Sequence, residues 1–526
     1  GKNLFPSNIS GLPTWYIIRL SDYGYQAPGN RTDIQVLVNP ATWVEDLAAL
    51  EPGTVVVWNS NSKLEMDRDD VVSYPIPMTK IAKGINPKLA KLITNIVYVG
   101  AIAEILGIEQ SALESAVEKQ FKGKTSAIEL NSNALLQGRE FFKENLQKSD
   151  PYVVESRPIE KKQFFIEGNE AAALGSLFGG AQLLAWYPIT PSSSICEGMI
   201  NWIPKIRTND EGEADCAVIQ AEDELAAAGM VLGAGWAGGR GITATSGPGI
   251  SLMQEFIGLG YFAEIPSVFW DVCRVGPSTG LPTRTQQSDI TLLYEGSHGD
   301  TQHIVLFPGT VEECFEFGWR IFDYAERYQT PVFGMSDLDL GMNDWSTKEF
   351  EWDDSSDYDR GKVLSKEDLD GIEKFGRYLD VDGDGIPYRT YPGTHPEKGA
   401  YFTRGTSHDE YAGYTEDGVK NAEMLSRLVK KFQTASSLVP APVFNQDKNN
   451  SSMGIIYFGS TDCSMQEALD MLEEQNMKID AMRIRAFPFN LEVWEFIEDH
   501  DLLFIVEQNR DGQMRTLIMA EGGIIP

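Results

Sequence analysis

Gly241-Ile242-Thr243-Ala244-Thr245-Ser246-Gly247-Pro248-Gly249 is the stretch that decides the fold. A short β-favouring run delivers the chain into a Ser-Gly-Pro-Gly loop, and a helical pattern from Ile250 to Phe262 follows at once. The same grammar stands on either side. The strand signal Leu183 to Tyr187 runs into Tyr187-Pro188-Ile189-Thr190-Pro191-Ser192-Ser193-Ser194, and the strand signal Ser267 to Val272 ends in Arg274-Val275-Gly276-Pro277-Ser278-Thr279-Gly280. Helical patterns over Glu170 to Phe178 and Glu224 to Gly235 separate them. Strands alternating with helices predict an α/β domain on a parallel sheet, and such a sheet gathers these loops outside the carboxyl ends of its strands, where ligands bind.

Two of these turns carry candidate chemistry. Thr190 is placed to cap a helix whose first position is Pro191, where the missing N–H is harmless. The free amides of such a helix start suit an anionic group, yet a plain capped helix explains the same residues. Glu222-Asp223-Glu224 puts acids on the first turn of a helix built largely of Ala and Gly. The helix dipole accounts for the acids, and the small residues permit close packing, without any catalysis.

Outward from this centre, the first third opens on a turn-rich start with no preceding strand. Strand signals at Ile34 to Val38 and Thr54 to Trp58 flank a helical pattern from Trp43 to Leu50 that ends at Pro52-Gly53. Helical patterns over Lys88 to Leu106, Gln110 to Phe121 and Ala127 to Asn145 complete a small α/β domain, and Lys148 to Lys162 reads as a linker. Beyond the central domain, Met342 to Tyr414 is acidic, aromatic and loop-rich. Its Asp380-Val381-Asp382-Gly383-Asp384-Gly385-Ile386 imitates the start of a calcium loop, but Tyr391 stands at the twelfth position in place of the bidentate glutamate. After a linker from Thr434 to Ser452, a β-α-β-α-β run over Gly454 to Gln508 reads as a separate small domain.

A chain of 526 residues suggests about three domains at ~150 residues each. The net charge of -33 argues against nucleic acid and against an anionic membrane as partners, since both would repel it. An anionic substrate then requires locally placed arginines. No apolar run approaches the ~20 residues of a membrane span and the start resembles no signal peptide, so a soluble, cytoplasmic protein is expected. The five cysteines, Cys196, Cys216, Cys273, Cys314 and Cys463, include no Cys-x-x-Cys, and the five histidines show no paired metal spacing. No metal site is expected in this chain. Any redox cluster must come from a partner.

Five segments together resemble the 2-oxoacid:ferredoxin oxidoreductases: Gly168-Asn169-Glu170-Ala171, Tyr187 to Ser194, Glu222 to Ala227, Thr243 to Gly249 and Arg274 to Thr283. Asn3-Leu4-Phe5-Pro6-Ser7-Asn8-Ile9 and Gly11-Leu12-Pro13-Thr14-Trp15-Tyr16 resemble the family's γ domain, and Glu507-Gln508-Asn509-Arg510-Asp511-Gly512-Gln513 its C-terminal α region. The resemblance implies a γ-like α/β domain at 1–150, incomplete at its start, then a pyrimidine-type thiamine-diphosphate domain at 163–433 with the acidic insertion 342–414. A transketolase-C-terminal-like α/β domain at 453–526 follows. The chain lacks an initiator Met and stops at Ile524-Ile525-Pro526 where the family continues, so terminal segments are expected to be missing, and no residues are assigned to coenzyme A.

The function implied is that of the α subunit of a 2-oxoglutarate:ferredoxin oxidoreductase, which makes succinyl-CoA. Pyruvate or a branched 2-oxoacid is the nearest rival, and a thiamine enzyme without ferredoxin is a different class. By the same resemblance, Glu224 hydrogen-bonds the aminopyrimidine of thiamine diphosphate as the catalytic carboxylate, with Glu222 the competing assignment, and Tyr187, Pro188, Ile189, Ser246 and Gly247 line the cofactor. Arg274, Thr190 and Thr279 hold the substrate's carboxylate and 2-oxo group, while Arg284 either meets a second carboxylate or serves as a structural ion-pair partner. A β subunit is implied to carry the diphosphate, its Mg2+ and a 4Fe-4S cluster, to pass electrons to ferredoxin, and to assemble as a second α–β pair with the first. The acidic surface of this chain makes it a poor main dock for an acidic ferredoxin.

Overall fold

A computed structural model describes residues 1–6, 12–29, 31–62, 65–157, 163–353, 355, 357–445 and 451–523. The expectations resting on Ser7, Asn8, Ile9, Gly11, on linker residues 158–162 and 446–450, and on Ile524-Ile525-Pro526 lie outside the described residues. The chain divides into two compact units, one formed by Gly1–Ile9, Thr14–Ala27 and Gln163–Pro526, the other by Ser10–Pro13 and Pro28–Lys162.

In the larger unit a seven-stranded sheet runs in the order Ala486–Phe487, Ile304–Leu306, Pro331–Asp337, Ser267–Cys273, Gly241–Thr245, Leu183–Trp186, Ala217–Gln220. Every pairing is parallel except that of the short strand Ala486–Phe487 with Ile304–Leu306. Helices cover the sheet, so its middle strands read as continuous apolar runs; Ser267–Cys273 and Pro331–Asp337 are buried along their whole length. The strands and helices expected between Gly168 and Cys273 are all present. The helix Gly247–Phe262 starts three residues before the expected Ile250, because Pro248 is well suited to a first turn.

The carboxyl-terminal β-α-β-α-β run forms a four-stranded sheet in the order Val443–Phe444, Asp480–Ile484, Met453–Phe458, Leu502–Val506. It does not stand apart as expected. Ile456, Met482, Phe487 and Met514 share one core with Phe269 and Phe333 of the large sheet, since each sheet has an apolar face to cover and each covers the other's. Helix Gly418–Ser436, which reaches into the expected linker, is pinned to the same unit where Lys431 Nζ lies 3.0 Å from the buried Glu264 carboxylate.

Three further expectations are corrected. The start is no bare turn: Lys2–Leu4 pairs antiparallel with Trp15–Ile17, the Gly1 amino group donates to Asp344 O at 2.7 Å, and Lys2 Nζ lies 2.6 Å from Asp339. These first residues therefore belong to the larger unit. The insertion contains ordered elements: Asp344–Lys348 pairs antiparallel with Gln163–Glu167, and Lys366–Asp370 is a helix with a capping box at Ser365. In its calcium-like loop, Asp380 accepts the amides of Gly383, Asp384 and Gly385, and Lys362 Nζ bridges Asp382 at 2.6 Å and Asp384 at 2.8 Å. The aspartates are engaged by the chain's own donors.

The smaller unit has a three-stranded parallel sheet, Ile34–Leu37, Val55–Asn59 and Val72–Ile76, with helices Trp43–Ala48, Met78–Ile85, Ala90–Leu106, Gln110–Gln120 and Thr125–Asn145. The strand Val72–Ile76 and the helix Met78–Ile85 go beyond the sequence reading, since Pro75 interrupts the strand signal. A proline is tolerated there because the strand is an edge. Among the described residues no single helix is long and apolar enough to cross a membrane.

Candidate functional site

The carboxyl ends of Leu183–Trp186, Gly241–Thr245 and Ser267–Cys273 bring three of the expected loops together. After Trp186 the chain leaves Tyr187 and Pro188 exposed, with Ile189 and Thr190 half-buried. Thr190 does not cap the next helix, and Pro191 is not its first position. The Thr190–Pro191 peptide is cis, and the helix runs Ser193–Ile206 with Ser192 at its N-cap. Ser193 Oγ accepts from Ile189 N at 2.9 Å, Ser192 Oγ donates to Ile189 O at 3.1 Å, and Asn169 Nδ2 donates to Pro191 O at 2.9 Å and to Ser194 Oγ at 2.7 Å. The Ile189 and Pro191 carbonyls are engaged in this turn, and regular helix begins at Ser193, two residues later than expected.

Asp223 is extended and caps the next helix, its carboxylate accepting from Ala226 N at 2.7 Å. This turn separates the two candidate acids. Glu222 points to solvent, whereas Glu224, the first helical residue, is only 8 % exposed. Its carboxylate receives no hydrogen bond from any described residue.

The Ser-Gly-Pro-Gly loop packs against this acid. A Cβ on Gly249 would stand 1.9 Å from Thr245 Oγ1 and 3.1 Å from Glu224 Cγ, and one on Gly247 would stand 2.8 Å from Asp289 Oδ2. Both glycines are therefore fixed by close approach of side chains. Ser246 is fully buried and its hydroxyl has no hydrogen-bond partner, as is also true of Thr245.

Arg274 crosses to the first loop: its Nη1 donates to Thr190 O at 2.6 Å, linking two turns 84 residues apart. Its Nε is buried without a partner. Burial lowers the guanidinium's affinity for its proton and the charge of Asp289 opposes that shift. Thr279 is exposed in a loop closed by Leu281 N donating to Val275 O at 2.9 Å. Arg284 is exposed too, and its Nη1 donates to Phe5 O at 3.1 Å and Thr283 O at 2.8 Å. Its protein partners are carbonyls and a hydroxyl, so the ion-pair alternative is not what the described residues show. The structure thus joins Thr190 with Arg274 and Glu224 with the Ser-Gly-Pro-Gly loop, and leaves Thr279 and Arg284 on the exposed side. Sequence reasoning assigned no role to Asn169, Gly249, Asp271 or Asp289. Asn169 lies in a segment already singled out, while the other three declare themselves only through packing.

Comparison with known proteins identifies the family. Residues 175–379 match the family described as pyruvate flavodoxin/ferredoxin oxidoreductase, thiamine diphosphate-binding, and residues 1–141 match pyruvate ferredoxin/flavodoxin oxidoreductase. The α subunit of 2-oxoacid:ferredoxin oxidoreductase 2 from Aeropyrum pernix is 33% identical over 445 residues, covering 82% of this chain and 68% of its own length. The 2-oxoglutarate synthase subunit KorA from Methanothermobacter marburgensis is 34% identical over 364 residues, covering 67% of this chain and 89% of its own. Among solved structures, the 2-oxoglutarate:ferredoxin oxidoreductase from Magnetococcus marinus, with 2-oxoglutarate, coenzyme A and succinyl-CoA bound, superposes with a TM-score of 0.84 at 29% identity. It covers 93% of this chain and 83% of its own. With its thiamine-type parallel sheet, its loops at the strand ends and relatives that are themselves α subunits, the chain belongs to the α subunits of the 2-oxoacid:ferredoxin oxidoreductases.

Proposed function

We propose that this chain is the α subunit of a 2-oxoglutarate:ferredoxin oxidoreductase and contributes one wall of a thiamine-diphosphate site completed by a β subunit. The reading rests on the hydrogen bond from Arg274 to Thr190 O, taken together with a buried Glu224 packed under the Ser-Gly-Pro-Gly loop. Relatives named 2-oxoglutarate synthase subunits and a neighbour binding 2-oxoglutarate and succinyl-CoA support the substrate.

Bound thiamine diphosphate would supply the carbon nucleophile for the 2-oxo group. The chain's own residues do the rest on this side. Glu224, held by the Asp223 cap, fixes and polarises the pyrimidine ring through a hydrogen bond, while Tyr187, Pro188, Ile189, Ser246 and Gly247 form the surface against which the cofactor lies. Arg274 presents its fork to the substrate carboxylate, Thr190 and Thr279 add hydroxyls, and Arg284, at the exposed rim, meets the second carboxylate of a dicarboxylic substrate. The β subunit brings the diphosphate site, Mg2+ and a 4Fe-4S cluster; electrons pass to ferredoxin, coenzyme A takes the succinyl group, and a second α–β pair completes the assembly. Residues 28–157 form the compact part of the γ-like domain, and 453–523 the transketolase-C-terminal-like part.

The test is anaerobic co-expression with the β subunit and measurement of viologen-dye reduction with coenzyme A and either 2-oxoglutarate or pyruvate. Preferred turnover of 2-oxoglutarate is expected. A strong preference for pyruvate overturns the substrate assignment, and turnover without any dye reduction overturns the reaction class.

A further inference from the structure

The helix Glu224–Ala237 carries a single charged side chain, that of Glu224 at its first position. A helix that is apolar on every side has no face suited to water and belongs under cover. Its inner face is buried, through Ala227, Ala228, Val231, Leu232 and Gly235. Its outer face stays open. Leu225, Met230 and Trp236 are 37 to 39 % exposed, and a Cβ on Gly233 would meet nothing within 4 Å. Ala226, Met230, Gly233 and Ala237 recur at the spacing that lines residues along one side of a helix, and none of the four is buried.

Two neighbours widen this surface. Gly229 lies against helix Gly247–Phe262, where a Cβ would stand 2.9 Å from Phe256 Cζ, and Leu252 on that helix is half-exposed. At the far end Trp236 Nε1 donates to Thr403 Oγ1 at 2.6 Å, which ties the acidic insertion to the helix. Phe402, beside that bond, is 67 % exposed, and Arg404 lies 4.7 Å over its ring. In a chain of net charge -33, an uncharged surface of this kind marks a place where another protein sits.

We propose that the outer face of Glu224–Ala237, extended by Leu252 and by Phe402 of the insertion, is the surface on which the β subunit docks. The inference rests on the reading of this chain as an α subunit whose cofactor site a β subunit completes. Glu224 argues for that occupant over any other. It is the first residue of the same helix, so a partner that brings the cofactor to its carboxylate lies over the helix's amino end, and the uncharged surface begins at the next residue. Gly233 leaves room for the partner's backbone to come close. The insertion gains a role here: through Trp236 and Thr403 it holds an aromatic side chain at the edge of the apolar centre, with Arg404 in the polar rim.

The experiment has two arms. Hydroxyl-radical labelling read by mass spectrometry compares the free chain with the purified α–β complex. Met230, Trp236 and Phe402 should lose their labelling several-fold in the complex. In the second arm, Gly233→Leu fills the open position; the side chain has room in this chain and leucine favours the helix, so the urea midpoint of the free chain should not fall. Its affinity for the β subunit should drop by about tenfold or more. Undiminished labelling of Met230 and Trp236 in an intact complex overturns the inference, as does unchanged affinity in Gly233→Leu, while the proposed function survives both. If Gly233→Leu abolishes self-association of the free chain and spares β binding, the face belongs to a second copy, and the inference is again overturned. If the unsubstituted chain forms no complex with the β subunit, the reading as an α subunit of a shared site fails instead.

Discussion

Replacing Gly249 by alanine loads the candidate site at its tightest point. The added methyl would stand 1.9 Å from Thr245 Oγ1, in a fully buried strand residue, and 3.1 Å from Glu224 Cγ. The first distance requires Thr245 or the helix start to move, and the second pushes Glu224 by a few tenths of an ångström. Overpacking of this kind costs roughly 1–3 kcal/mol. Exchanging glycine for alanine in a helix returns at most about 1 kcal/mol, so a net destabilisation of roughly 1–2 kcal/mol is expected. Urea unfolding of the α–β complex, followed by tryptophan fluorescence, reads this term. Turnover should fall further than stability suggests, by about tenfold or more, because Glu224 is displaced from its working position. The control is Thr245→Ala. Its hydroxyl has no hydrogen-bond partner, so its loss is mild, and in the double variant it should restore most of what Gly249→Ala removes. If Gly249→Ala is as stable and active as the parent, or if Thr245→Ala restores nothing, then the loop does not pack against Glu224 as described.

Two further expectations follow from burial. Glu224→Gln should lower turnover by roughly 10²-fold or more while the α–β complex still assembles, and Glu222→Gln, changed in solvent, should leave both near normal; steady-state dye reduction with size-exclusion chromatography separates them, and the reverse ranking would move the catalytic role to Glu222. His303 is buried, its Nε2–H donating to Gly296 O at 2.9 Å, and burial holds its pKa down to about 4. It is neutral in the fold and charges on unfolding, so its contribution is whole above pH ~6.5 and drains away, by about 3 kcal/mol, as pH falls towards 4. His303→Gln should flatten that part of the stability profile, and an unaltered slope in urea midpoints would assign the acid sensitivity elsewhere.

Much of the central domain is legible in the sequence because its elements are long, regularly patterned and bounded by strong signals. The strand Gly241–Thr245 falls where expected to the residue, between Arg240 and a Ser-Gly-Pro-Gly loop. The site was less so. Glu222 and Glu224 differ by two positions and carry the same chemistry, and only the extended Asp223 cap, which sends one outward and the other inward, distinguishes them. The helix after Thr190 starts two residues late, at Ser193, where Asn169 from a different helix donates to the Pro191 carbonyl, a contact no local pattern announces. Asp271 and Asp289 are 18 residues apart with a loop between them, so nothing local marks them as neighbours. Likewise the strand Ala486–Phe487 is two residues long and owes its place in the large sheet wholly to tertiary pairing.

The thiols bear on the proposed division of labour between the subunits. A cysteine is a nucleophile or a metal ligand as its thiolate. Cys196, Cys216, Cys273 and Cys314 are buried and Cys463 is half-buried, and in each case burial is the largest influence and raises the thiol; Cys216 is pushed up to about 11 and Cys463 to about 12. Cys273 is raised further by the neighbouring Asp271 and Asp289. Oxidation of a 2-oxoacid releases two electrons, and protonated, scattered thiols offer them no path. What this chain does offer at the same strand ends is charge: a buried carboxylate at Glu224 and a buried guanidinium at Arg274. Those groups suit the binding half of the proposed reaction, and in that proposal the electronic half is assigned to the β subunit.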